Sequence, residues 1–233
     1  MKPFLLLLFF ISLTHQAQTI QLSPNAESTI LTIGPGDNLY DAFGHSAYRI
    51  NDRSLGLDIA YGYGAFDFDT PNFYLKFAQG QLNYQMSKHD FGDFYNSYVF
   101  YNRTIEEQTL NLTIEEKQKL YEYLDNNYKP ENRQYLYDFF YDNCATRIRD
   151  VAVISIEERI EFVTPPNFEP KTFRRLIYDH TGRNTWGSFG IDLALGSVID
   201  REATPYEHMF LPKYIHQFFG SAKLGSDKNL VKT

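Results

Sequence analysis

An α+β fold with an antiparallel sheet is what this 233-residue chain predicts, and three observations carry that reading. Residues 28–34 (STILTIG) read as a strand stopped by Gly34-Pro35-Gly36-Asp37. The runs HSAYRIND and SLGLDIAYGYG then flank a polar turn at Asn51-Asp52-Arg53, which is the pattern of a hairpin. Thr113-Ile-Glu-Glu116 is a capping box, and Leu120, Leu124 and Tyr128 follow at helical spacing, so 114–127 is a helix. Cys144, Ile148, Val151 and Ala152 recur at i, i+4, i+7 and i+8 and mark a second helix near 143–154, with Asp142 or Asn143 as its N-cap. A further strand is expected around 81–87, leading into a helical region at 91–97. Another helix runs from Thr172 to His180 and stops at Gly182. No internal repeat or low-complexity segment interrupts this order.

Composition narrows the class. Hydrophobic residues at 43% and charged residues at 22% suit a packed core and exclude disorder. A net charge of −7 argues against a nucleic-acid partner. Lys2, an apolar run from Phe4 to Leu13 broken only by Ser12, and a polar stretch ending at Ala17 read as a signal peptide over 1–17. An uncleaved anchor would need about 20 apolar residues. The remaining 18–233, with no linker composition inside it, reads as a single exported domain. It has no further stretch able to cross a bilayer, so it should be soluble or peripherally attached. Aromatic residues make up 17% and cluster at Phe66/Phe68, Phe73/Tyr74/Phe77 and Tyr135 to Tyr141, as core or as the lining of an acyl or sugar cleft.

Cys144 is the only cysteine. In an oxidising compartment a lone thiol is either a small buried hydrophobe or a working nucleophile. At a helix start it meets unpaired N–H groups and the positive dipole end, which favour a thiolate and could also receive an oxyanion, with Asn143 and Asp142 at the cap. A cysteine nucleophile needs a base from elsewhere in the fold. Of the five histidines after the leader, His45 stands out because it follows Gly44 and opens the hairpin. With a turn near Asp52, Asp58 would lie on the neighbouring strand, close enough to orient the imidazole. HxxxH, HExxH, CxxC, GxGxxG and GxxxxGK[ST] patterns are all absent, so no metal or nucleotide cofactor is expected.

Five segments, FGHSAYRI (43–50), YGYGAFDF (61–68), Asn102-Arg103, YDFFYDNCATRIRD (137–150) and GIDLALGSVIDREATPYEHMFLP (190–212), together resemble the Lnb N-terminal periplasmic domain family of bacterial envelope proteins. The order of histidine first and Asn-Cys later also resembles the circularly permuted papain-like folds that include NlpC-like enzymes. The resemblance implies that fold, with Cys144 as nucleophile on its helix and His45 as base. It also implies an acyl enzyme of the envelope that moves an acyl chain from phospholipid to an amine such as a lipoprotein N-terminus through a Cys144 thioester. A cell-wall amidase or peptidase, and a non-catalytic envelope binding domain, are the alternative expectations. The expected partners are a phospholipid or lipoprotein substrate and peripheral contact with a membrane.

Overall fold

The computed structural model describes residues 20–67, 69–156, 159–225 and 228–232. The expected leader and Phe68 lie outside these residues. In chain order the elements are β1 (Glu27–Ile33), β2 (His45–Asp52), β3 (Leu57–Ala65), α1 (Phe73–Ala78), β4 (Asn83–Asp90), α2 (Phe91–Phe100), β5 (Ile105–Thr109), α3 (Ile114–Asn127), β6 (Gln134–Leu136), α4 (Cys144–Ser155), β7 (Ile160–Glu161), α5 (Phe173–Thr181), α6 (Trp186–Leu195), α7 (Pro205–His208), α8 (Pro212–Ser221), β8 (Lys223–Leu224) and β9 (Lys228–Asn229). This is a mixed α and β architecture in which every strand pair of the main sheet is antiparallel, in the order β5-β1-β2-β3-β4-β6.

Alternation along the strands decides which side each helix covers. Tyr48 and Ile50 of β2, with Tyr61 and Tyr63 of β3, point into the larger core, where they meet Leu120 and Leu124 of α3, Ile148 and Val151 of α4, and Ile215 and Phe218 of α8. Ala47 and Ala60 face the other way, joining Leu31, Ile33 and Phe94 in a smaller cluster under α2. Small residues there let α2 lie close to the sheet.

The helix expected over 114–127 forms as read: Thr113 accepts from the Glu116 N–H, and the Glu116 carboxylate accepts from the Thr113 N–H at 2.7 Å. The α4 periodicity is also realised, since Ile148, Val151 and Ala152 are all buried. Fully burying an Ile or Val side chain stabilises the fold by about 1.5–3 kcal/mol, so this stripe holds the helix on the sheet. The Tyr48 hydroxyl adds a polar tie by donating to the Ile148 carbonyl at 2.6 Å.

The hairpin departs from its expected register. Asp52 pairs with Leu57 and remains part of β2, because its carboxylate accepts from the Ser23 N–H and hydroxyl at 2.6 and 2.7 Å and from the Ser54 N–H. The reversal therefore falls on Arg53–Gly56, where Gly56 takes a positive φ of 64°. That shift of the turn relocates Asp58. It sits opposite Asn51, near the turn and away from His45 at the far end of β2.

Candidate functional site

Cys144 is the first residue of α4, and Asn143 is the N-cap. The Asn143 side-chain oxygen accepts from the Ala145 and Thr146 N–H groups at 2.8 and 3.0 Å, while its amide nitrogen donates to the Phe139 and Phe210 carbonyls at 2.7 and 2.9 Å. With all of its polar atoms engaged, Asn143 fixes the helix start and has no donor left over for an oxyanion. Asp142, the other candidate cap, is instead bound to Arg147, which donates from Nη2 at 2.8 Å and lies over the Tyr135 ring. Its side chain plays no part in the cap.

The sheet opens where the cysteine enters. Pairing of β2 with β3 ends at Ala47 and Gly62, and β3 is bulged between Gly62 and Ala65. Beyond that point the backbone N–H groups of Ser46, Ala145 and Cys144 itself favour the charged form of the Cys144 thiol. His45 is the neighbour of Ser46 in β2. A side-chain carbon at Gly62 would lie 3.2 Å from His45 Nε2, and one at Gly64, whose φ is 102°, would lie 3.8 Å from the Cys144 Cβ. Gly62 thus leaves room for the imidazole, whereas Gly64 is required by its left-handed backbone rather than by crowding at the cysteine. Among the described residues no hydrogen bond joins the two.

The electrostatics reverse the expectation of a resting thiolate. Burial pushes the Cys144 thiol up to about 11, outweighing the three N–H groups and the positive Arg103, which pull the other way. Burial first, and then the Arg103 charge, lower His45 to about 4. At neutral pH the pair is a neutral thiol beside a neutral imidazole. Such an imidazole is free to accept a proton.

Asp58 does not orient His45, since both its oxygens bind Arg49, at 2.7 and 2.8 Å. The surroundings of His45 come from α2 and the loop after it. Tyr98 stacks on the imidazole with centroids 6.4 Å apart, and the Arg103 guanidinium lies 4.9 Å from the Tyr98 ring. Arg103 is itself clamped, donating twice to the Gly34 carbonyl at 2.9 and 2.8 Å. In the sequence Arg103 stands out only as half of the Asn102-Arg103 motif. The signal pointing to it was that motif, because nothing in local spacing connects residue 103 to residues 45 and 144. Tyr84, Tyr98, Tyr135 and Tyr137 complete the lining, each phenol raised by burial and further by the nearby sulfur.

The antiparallel sheet with helices packed on it defines the class as an α+β protein, with a half-buried cysteine at the start of α4. The model of the Lnb N-terminal periplasmic domain matches residues 14–178, and the chain belongs to that family. Membership places it in the periplasm or cell envelope. Comparison with curated proteins and with solved structures returns no match.

Proposed function

We propose that the chain is an envelope acyl enzyme in which Cys144 is the nucleophile and His45 the base, on a circularly permuted papain-like arrangement. The observation supporting this reading is that Gly62 and Gly64, two residues apart on β3, lie against His45 Nε2 and the Cys144 Cβ respectively, so both side chains flank the same short stretch of strand. As sulfur bonds to the carbonyl carbon of a phospholipid ester, its proton passes to His45, and the carbonyl oxygen becomes an oxyanion facing the Ser46 and Cys144 N–H groups. Collapse re-forms the carbonyl and breaks the ester C–O bond. The departing glycerol oxygen takes the proton from His45, leaving a thioester and a lysophospholipid. In the second half an amine, such as a lipoprotein N-terminus, gives its proton to His45 and attacks the thioester. The sulfur leaves and recovers that proton, so the products are an amide and the free thiol.

His45 is neutral before attack, but burial weakens it as a base and weakens the thiol as an acid, so the first proton transfer runs uphill in the free protein. Arg103 favours both a neutral imidazole and a developing thiolate. An open hollow of about 250 Å³ lies beside Phe66 and Tyr84, with Asp67, Thr70, Asn83, Gln85 and Gln134 giving it a mainly polar lining that includes neither Cys144 nor His45.

Incubating the protein with phosphatidylethanolamine vesicles and measuring the intact mass tests the proposal. The expected result is a mass gain of one acyl chain on Cys144, removed by neutral hydroxylamine and absent in Cys144→Ser. An unmodified Cys144 would return the residue to the role of a buried structural thiol.

A further inference from the structure

Helix α6 is apolar over most of its length and leaves its large side chains exposed. Its outward stripe is Trp186, Phe189, Gly190, Leu193 and Ala194, at the spacing of one helix face, continued by Val198 in the 3-10 turn that follows. Trp186 is 90% exposed, Leu193 77%, Val198 75% and Phe189 60%. The charge of the helix points inward, where Asp192 pairs with Arg174 and accepts from the Tyr178 hydroxyl at 2.6 Å. Water on the stripe would be expected to select the opposite arrangement. Among the exposed residues between 182 and 198, Arg183 is the only charge.

We infer that this face docks on the surface of an anionic phospholipid bilayer, with α6 lying in the interface. An exposed apolar stripe with a tryptophan at the helix end suits the boundary between headgroups and acyl chains, and Arg183 is the exposed cation beside it. The face is also continuous with the candidate site. Gly187 packs on Leu39, to which a side-chain carbon there would come within 3.0 Å. Leu39 and Tyr40 are half exposed, Tyr40 meets Phe66 edge-on at 6.5 Å, and Phe66 lies 5.1 Å from Tyr84, whose phenol senses the Cys144 sulfur. This run of contacts leads from α6 through Leu39, Tyr40 and Phe66 to Tyr84. In that respect the inference deepens the acyl-enzyme proposal and rests on it.

Trp186 is the only tryptophan of the chain, so its fluorescence reports this face alone. The experiment uses exported Cys144→Ser protein, which cannot form a thioester, mixed with phosphatidylethanolamine/phosphatidylglycerol vesicles. Trp186 emission should move to shorter wavelength and be quenched by lipids brominated in the acyl chain. Leu193→Glu should weaken vesicle binding at least ~10-fold. Arg183→Gln should weaken it ~5-fold on anionic vesicles and leave zwitterionic phosphatidylcholine vesicles unaffected. Emission that ignores vesicles overturns the inference. So does a blue shift that appears without lipid as concentration rises, accompanied by dimers in sedimentation, which would make a second copy the occupant. Because the binding measurement involves no turnover, failure of docking is separable from failure of the acyl-enzyme reading. A water-soluble short-chain ester tests the latter, without a bilayer, on the native protein.

Discussion

Helices α4 and α6 begin with the same device and end up as opposites. Asn143 with Thr146, and Thr185 with Ser188, both form reciprocal capping boxes, so each helix start is set by a residue and its partner three positions on. At α4 the first residue, Cys144, enters the gap at the end of the β2–β3 pairing and the helix buries its apolar stripe. At α6 the first residue, Trp186, is almost wholly exposed and the apolar stripe faces out. A cap determines where a helix starts. What lies beneath it determines which face is used.

The largest effect should come from the chemistry on the α4 side. Cys144→Ser should abolish thioester formation and lower ester turnover by at least ~10³-fold, as for loss of a nucleophile in an acyl enzyme, and His45→Ala should lower it by about 10²–10⁴, the usual contribution of a general base. Both variants should keep the native circular dichroism spectrum. Full activity in either would remove the difference between the two helices as functional elements.

The caps should then differ in energy despite their common geometry. Asn143→Ala leaves the Phe139 and Phe210 carbonyls as well as two N–H groups without partners in a buried setting, and should cost about 2 kcal/mol or more. At a few degrees per kcal/mol for a chain of this size, Tm should fall by about 4–8 °C. Thr185→Ala, at an exposed helix start, should cost about 1 kcal/mol at most. Equal losses in thermal melts would show that the surroundings of the cap count for little.

The pH response should sharpen the contrast further. His45 titrates near 4 in the folded protein and near 6.5 when unfolded. Between those values the unfolded chain binds more protons, so stability should fall as pH drops from 6.5 toward 4. Urea midpoints measured across that window should decline in the native protein and flatten in His45→Gln. Burial of Cys144 works in the opposite range. Its alkylation by iodoacetamide should keep rising toward about pH 11, whereas an ordinary thiol levels off near 9.

The smallest effect belongs to Asp58, whose carboxylate is held by Arg49 on the partly exposed part of the sheet. Asp58→Asn should change stability by less than about 1 kcal/mol and leave the rate of thioester formation unchanged. A clear loss of rate would bring Asp58 back to the His45 side of the reaction.

Much of the architecture is written in short-range patterns. The capping box at Thr113, the β-favouring runs at 28–33 and 57–63, and the four-residue rhythm after Cys144 each involve neighbours within one helix turn or one strand, where sterics and hydrogen bonding act on the chain locally. The same holds for the Asn-Cys junction and for the identity of His45, which its glycine-flanked position at the head of a strand singled out. Edge strand β5, with Glu106 and Glu107, has no comparable rhythm. Only tertiary structure decided the rest. The register of the hairpin depended on Ser23 holding Asp52, an interaction across 29 residues, and a turn displaced along the chain put Asp58 out of reach of His45. The ionisation of the site depended on burial under the sheet and on Arg103, far from both residues in sequence. A helix N-terminus favours a thiolate by a local field, but desolvation is a property of everything packed around the sulfur, and here it is the larger of the two.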